Sequence, residues 1–342
     1  MNDIEPAAPP GGGGLASSLR IRLDFGYDGT AFSGWAMQPG KRTVEDELSA
    51  ALTLILRAVR PVRLVVAGRT DAGVHARGAV AHADVDPAGW ALVPGRSTRS
   101  PAESALARLN GVLPADMVVH GVSVAPEGFN ARFSAIERRY LYRICDQPHL
   151  LDPLRRRDTL IHRRPLDVAA MQASAHHLLG LRDFAAFAKR REGATTIRTL
   201  LEFSWVRGGD GVVEARVVAD AFCRSMVRAL VGVMIPVGEG RQPAGWPAQV
   251  LVAGRRHPGV VVMPAHGLSL EQVTYPPDVD LDRRHRESRV RRSPVGEGWR
   301  GCPGRKPGST HRTWVCPTQG HGRWLAVRAT LAGGPSYLAL AL

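Results

Sequence analysis

Residues 20–27 read Arg20-Ile21-Arg22-Leu23-Asp24-Phe25-Gly26-Tyr27, with Ile21, Leu23 and Phe25 alternating against Arg20, Arg22 and Asp24. A period of two is that of a half-buried strand, whose successive side chains point to opposite faces. Asp28-Gly29-Thr30 ends it with turn chemistry. Thr43 then suits a helix N-cap with Asp46 three residues on, and Val44, Leu48, Leu52, Ile55 and Leu56 fall on one helical face that runs to about Val59. Strands over Val62 to Ala67 and Val80 to Val85, a helix from Pro101 to Leu113 and a strand from Met117 to Val124 complete a βαββαβ order.

The second half repeats that order loosely. A strand is expected from Phe133 to Cys145, then a helix with Val168, Met171, Ala175 and Leu178 inward, and a hairpin of Leu201 to Trp205 with Val212 to Val218. Phe222 to Val237 reads as an amphipathic helix, Pro247 to Ala253 as a short one, and Leu268 to Tyr275 as the closing strand. Two such units predict an α+β fold of two ferredoxin-like (RNP-like) halves, with antiparallel sheets, helices to one side and a central cleft. The expected division is a leader at 1–18, an N-terminal half at 19–127, a C-terminal half at 128–282 and a tail at 283–342.

A chain of 342 residues with 44% hydrophobic content can bury a core, which excludes wholesale disorder. Its net charge of +14 favours a polyanionic partner. The distribution qualifies that reading: from Arg283 to Leu342, 12 arginines and lysines against two acids leave +10 of the +14 in the last sixty residues. That stretch mixes Arg, Gly and Pro with scarcely any apolar period, the composition of a disordered basic tail. Four cysteines are too few for a disulfide scaffold, and the Pro/Gly-rich start is no secretory signal, so a soluble, cytoplasmic protein is expected. No apolar run has the roughly 18 residues of a membrane span. Cys302, His311, Cys316 and His321 lack the closely paired cysteines of a zinc finger, and no metal site is expected.

The chemistry concentrates in Gly68-Arg69-Thr70-Asp71-Ala72-Gly73-Val74-His75-Ala76. Asp-x-Gly alone is common turn chemistry. Here Arg69, Thr70, Asp71 and His75 put four polar groups on one short segment, and a carboxylate kept ionised by a nearby guanidinium is a usable nucleophile or base. His75 and His82 suit loop ordering better than general acid catalysis.

The stretch GRTDAGVHA resembles the signature of the tRNA pseudouridine synthase A (TruA) family. Tyr27-Asp28-Gly29-Thr30 with Phe32-Ser33-Gly34-Trp35 and Gln38 is similar to the family's opening motif. Phe129-Asn130-Ala131-Arg132-Phe133-Ser134-Ala135 with Arg139-Tyr140-Leu141-Tyr142 resembles its central strand; Phe222, Met226-Val227-Arg228 and Val237-Gly238 resemble its helix. Pro264-Ala265-His266-Gly267-Leu268-Ser269-Leu270 matches its closing segment, while Gly259 to Met263 departs from the family pattern. The likeness spans about Arg20 to Tyr275.

What the resemblance implies is the pseudouridine synthase fold and isomerisation of uridines 38, 39 and 40 in the tRNA anticodon arm, with no cofactor or metal. It makes Asp71 the nucleophile, by attack at ribose C1′, at base C6 or by a glycal-like route. Arg69 pairs with Asp71 and assists base flipping, Tyr140 stacks on the flipped base, and Leu268 or Leu270 forms an apolar wall. Arg132, Arg139, Arg198 and Arg228 are candidates for phosphate contact, and Asp28 and Trp35 belong to loop architecture. A homodimer is implied as well. Two alternatives stay open: a catalytically silent RNA-binding chaperone of the same fold, and a synthase for another RNA site.

Overall fold

The computed structural model describes residues 18–189 and 195–288. In chain order the elements are β1 (Leu19–Tyr27), α1 (Val44–Ile55), β2 (Val65–Val66), β3 (His75–Val85), α2 (Pro87–Ala91), α3 (Pro101–Val112) and β4 (Met117–Val124). The second half comprises β5 (Glu137–Cys145), β6 (Leu160–Ile161), α4 (Val168–Ala175), β7 (Gly180–Asp183), β8 (Ile197–Arg207), β9 (Val213–Ala219), α5 (Met226–Gly238), α6 (Trp246–Val252), β10 (Leu268–Thr274) and α7 (Leu281–Ser288).

Local chemistry accounts for most of these. Ile21, Leu23 and Phe25 of β1 are fully buried, as the alternation requires. Thr43 caps α1, its hydroxyl accepting Asp46 N–H at 3.4 Å, and Val44, Leu48, Leu52 and Ile55 form the buried stripe. Ser100 and Glu103 form a reciprocal capping box on α3 with Pro101 in the first turn. Every residue of α5 except Arg228 is buried, and those residues carry no charge.

Ten strands form one sheet among the described residues, in the order β4-β1-β3-β10-β5-β9-β8-β7, with β2 on β3 and β6 on β5. Each half carries the ferredoxin-like permutation: β4-β1-β3-β2 in the first, β10-β5-β9-β8 in the second. The two sheets do not stand apart. They are spliced by a short parallel pairing, Ser269 opposite His75 and Leu270 opposite Ala76. Gly78 lies just beyond, and a side chain there would run into the backbone of Glu271, so the two halves meet where β3 has no Cβ.

Several expected boundaries shift: the strand expected over Val62 to Ala67 is reduced to β2, the one expected from Val80 already starts at His75, and the one expected from Leu201 starts at Ile197. The strand β5 begins at Glu137, not Phe133, because Asn130 to Ser134 close a turn in which Asn130 Oδ1 accepts the N–H of Arg132 and of Phe133, each at 3.0 Å. Residues 222–225 are not helical. Arg283 to Ser288, expected to open the tail, belong to α7, whose His285 stacks on Phe133 at 5.6 Å. The rest of the tail, with Cys302, His311, Cys316 and His321, lies outside the described residues.

His82 of β3 is buried under Phe129, and its Nδ1 accepts the Ala131 N–H at 3.1 Å. Burial, reinforced by the Arg20 charge, holds its imidazole down to about 4. The unfolded chain takes up this proton near 6.5 and the fold resists until about 4, so stability falls as the pH drops between them. The loss approaches about 3 kcal/mol once both states are charged. His82→Asn keeps an acceptor near the Nδ1 position and cannot titrate. Thermal unfolding of that variant is expected to show a flatter fall of Tm across this window, and an unchanged slope would exclude His82 as its source.

Candidate active site

Asp71 lies in the loop 68–74 that leads from β2 into β3, and the opening motif of the chain holds that loop. Tyr27 Oη and Thr70 Oγ1 are hydrogen-bonded at 2.8 Å. Trp35 N–H donates to Thr70 O at 3.1 Å and Gly73 N–H to Phe32 O at 3.2 Å. Gly34 has φ of 93°, and a Cβ on it would meet Thr70 O at 2.9 Å, so the close approach needs glycine twice over. Trp35 is 1% exposed beneath this contact.

His75 closes the loop. Its Nδ1 accepts Gly29 N–H at 3.0 Å, and its Nε2 lies 2.8 Å from Arg157 O and 3.1 Å from His266 O. Nδ1 also stands 3.1 Å from Asp28 Oδ1, so both ring nitrogens are engaged and the ring is fixed in place. It orders the loop, as His82 orders the segment above it.

The Asp71 carboxylate reaches across to the second half. Its Oδ2 accepts from Ser225 Oγ and from Arg228 Nη1, each at 3.1 Å, and Arg224 Nε stands 4.0 Å from Oδ1. Arg228 is fixed in turn by donating Nε–H to Met263 O at 2.5 Å. Arg228, expected on phosphate, is paired with the Asp71 carboxylate here. The Asp71 side chain keeps 27% exposure, so the carboxylate is held and still reachable.

Ser225 explains the late start of α5. It occupies the N-cap position with φ of 60°, in the left-handed region, and makes no side-chain cap bond. A serine there ordinarily caps the helix in an extended conformation. This one turns its hydroxyl to Asp71 instead, at the cost of a backbone conformation that favours glycine. No sequence signal marked it.

Tyr140 lies on β5 opposite Leu270 and Val217 and is 6% exposed. Its ring meets Phe222 edge-on at 5.1 Å, and a Cβ on Gly68 would lie 3.7 Å from its hydroxyl. Burial pushes its phenol up to about 12, so it is neutral at pH 7. Tyr142 shares its face and donates Oη–H to Pro264 O at 2.8 Å. Leu268 and Leu270, paired with these two tyrosines, are both buried and make the apolar floor. Arg139, the residue before Tyr140, falls on the opposite face of the pleat, away from Tyr140. Arg132 is exposed with its guanidinium over the Phe133 ring, and Arg198 of β8 donates to Ile197 O at 2.6 Å.

Two ferredoxin-like halves thus meet beside the Asp71 loop. A description of tRNA pseudouridine synthases matches residues 174–276. The chain is 54% identical over 276 residues to the tRNA pseudouridine synthase A of Frankia casuarinae, spanning 81% of this chain and 96% of that protein. Against that of Streptomyces griseus it is 52% identical over 281 residues, 82% and 96% of the two. Against that of Mycobacterium leprae it is 44% identical over 273 residues, 79% and 94%. The chain therefore belongs to the tRNA pseudouridine synthase A family.

Ser225→Gly removes the hydroxyl and suits the left-handed backbone. Thermal unfolding is expected to show a Tm equal to or above that of the unsubstituted protein, while turnover falls by about tenfold, the worth of one hydrogen bond to a charged group. Turnover unchanged in the glycine variant would mean that the Ser225 contact to Asp71 contributes nothing.

Proposed function

We propose that this chain converts uridines 38, 39 and 40 of the tRNA anticodon arm to pseudouridine, with Asp71 as the nucleophile. The observation that carries the reading is the Asp71 carboxylate itself. It is oriented by Ser225 and Arg228, part-exposed, and beside the buried aromatic face of Tyr140. The reaction breaks the N1–C1′ bond, rotates the base and joins C5 to C1′, so no atom is gained or lost and no electron acceptor is required. A carboxylate held by Ser225 and Arg228 can attack C1′ or C6, or take a ribose proton.

A target base has to leave its stack, at a cost of a few kcal/mol. Arg69 displaces it and Tyr140 receives it. Stacking on Tyr140 displaces whatever now covers the ring, and Phe222 is the group in contact. Arg132 and Arg198 contact phosphate, Arg139 meets RNA only from the other side of the sheet, and Leu268 backs the pocket. The enzyme works as a cytoplasmic homodimer.

Asp71→Asn is expected to abolish product formation while tRNA affinity stays within a few-fold. An active variant would end the nucleophile assignment, and an inactive wild-type chain that binds tRNA would point to a chaperone. Tyr140→Phe keeps the stacking surface and is expected to bind a flipped base nearly as well, whereas Tyr140→Ala loses more turnover than affinity; equal losses would remove Tyr140 from the base site. Transcripts carrying single uridines at each position, mapped chemically for pseudouridine, decide the target.

A further inference from the structure

The guanidinium of Arg138 is 7% exposed at residue level and lies at the meeting point of three separate segments. Its Nη1 donates to Asp220 O at 2.6 Å, and its Nη2 donates to Ala67 O at 2.9 Å and to Arg132 O at 2.7 Å. Every acceptor is a main-chain carbonyl. A surface arginine reads phosphates and a structural one commonly meets a carboxylate; this one is used as a rigid three-way connector.

The three carbonyls are not arbitrary points. Ala67 is the last residue before the loop that carries Asp71, four residues on. Asp220 directly follows β9, and the chain from there passes Phe222, edge-on to Tyr140, and reaches Ser225 five residues later. Both segments that meet at the carboxylate thus depart from one side chain, two residues from Tyr140 on the same face of β5. Arg132, the third acceptor, begins the approach to β5 and carries one of the exposed arginines.

We propose that Arg138 is a positioning residue that sets the separation of the two segments closing on Asp71, and so holds Ser225 and Arg228 within hydrogen-bond reach of its carboxylate. The proposal rests on the reading of Asp71 as the reacting group. A fork of fixed geometry is what the task demands: the donors of one planar group cannot move independently, so the segments keep their spacing. Lysine offers three donors from a single point and spans the same acceptors less well.

The test uses the full chain with Arg138→Met, which keeps much of the buried volume, and Arg138→Lys. Single-turnover rate and tRNA affinity are measured with amide hydrogen exchange across the protein. A loosened site is expected to lower the rate of the methionine variant by about a hundredfold, the scale of a small misplacement of reacting groups, with affinity changed by less than about threefold. The lysine variant is expected to fall between. Exchange is expected to quicken at 67–74 and 220–228 together and to stay unchanged in β1 and β4. Exchange that rises evenly through the sheet, or in only one of the two segments, would overturn the proposal. So would an unchanged rate per folded molecule, or failure of both variants to fold, each assigning Arg138 to stability alone. Asp71→Asn is run beside them: if it remains active the nucleophile reading fails, while the exchange map still decides whether Arg138 ties the segments.

Discussion

Two residue pairs of parallel sheet, His75 with Ser269 and Ala76 with Leu270, join the sheets of the two halves into one. Antiparallel pairing dominates elsewhere, and each half would be a complete ferredoxin-like sheet without the splice. The splice decides where chemistry can occur. It brings the start of β3, and with it the Asp71 loop, beside β10, and β10 in turn presents Leu270 to Tyr140. Asp71 comes from one half; its partners Ser225 and Arg228 come from the other. Gly78 is the steric condition for this, since a Cβ at that position would push the strands apart.

Charge is used locally. Most of the +14 lies after Asp282, yet the first arginines of that stretch already have partners, Arg283 with Asp280 and Arg286 with Asp282. Within the folded part the decisive cations are single and fixed: Arg228 on a carboxylate, Arg138 on three carbonyls. An electrostatic attraction to RNA can draw on many arginines, whereas these two are each fixed by specific partners.

The sequence was most legible where structure is local. Alternation located β1, the stretch Met117 to Val124 is β4 as expected, and the Thr43 cap with its apolar stripe located α1. Legibility failed at Phe133, where a local Asx turn replaced the start of the strand, and at Phe222, where a serine drawn to Asp71 displaced the start of the helix. The same cause hid Arg228, which helical periodicity presents as one more arginine. Arg138 had no signature at all, because its partners are backbone carbonyls, identical in every residue. Tyr140 was legible as an aromatic among arginines, but not its near-complete burial.

The reach of His75 has a consequence for how the molecule is made. Its ring contacts His266, 191 residues later, and the Asp71 to Arg228 pair spans 157. Contacts so distant in sequence form late, because the intervening chain must already be compact before they repay its lost freedom. During synthesis the first half can collapse around α1 and α3 as soon as it emerges, but its loop has no second wall until β10 is translated. Until that point the start of β3 lacks its parallel partner strand, and His75 lacks the His266 carbonyl.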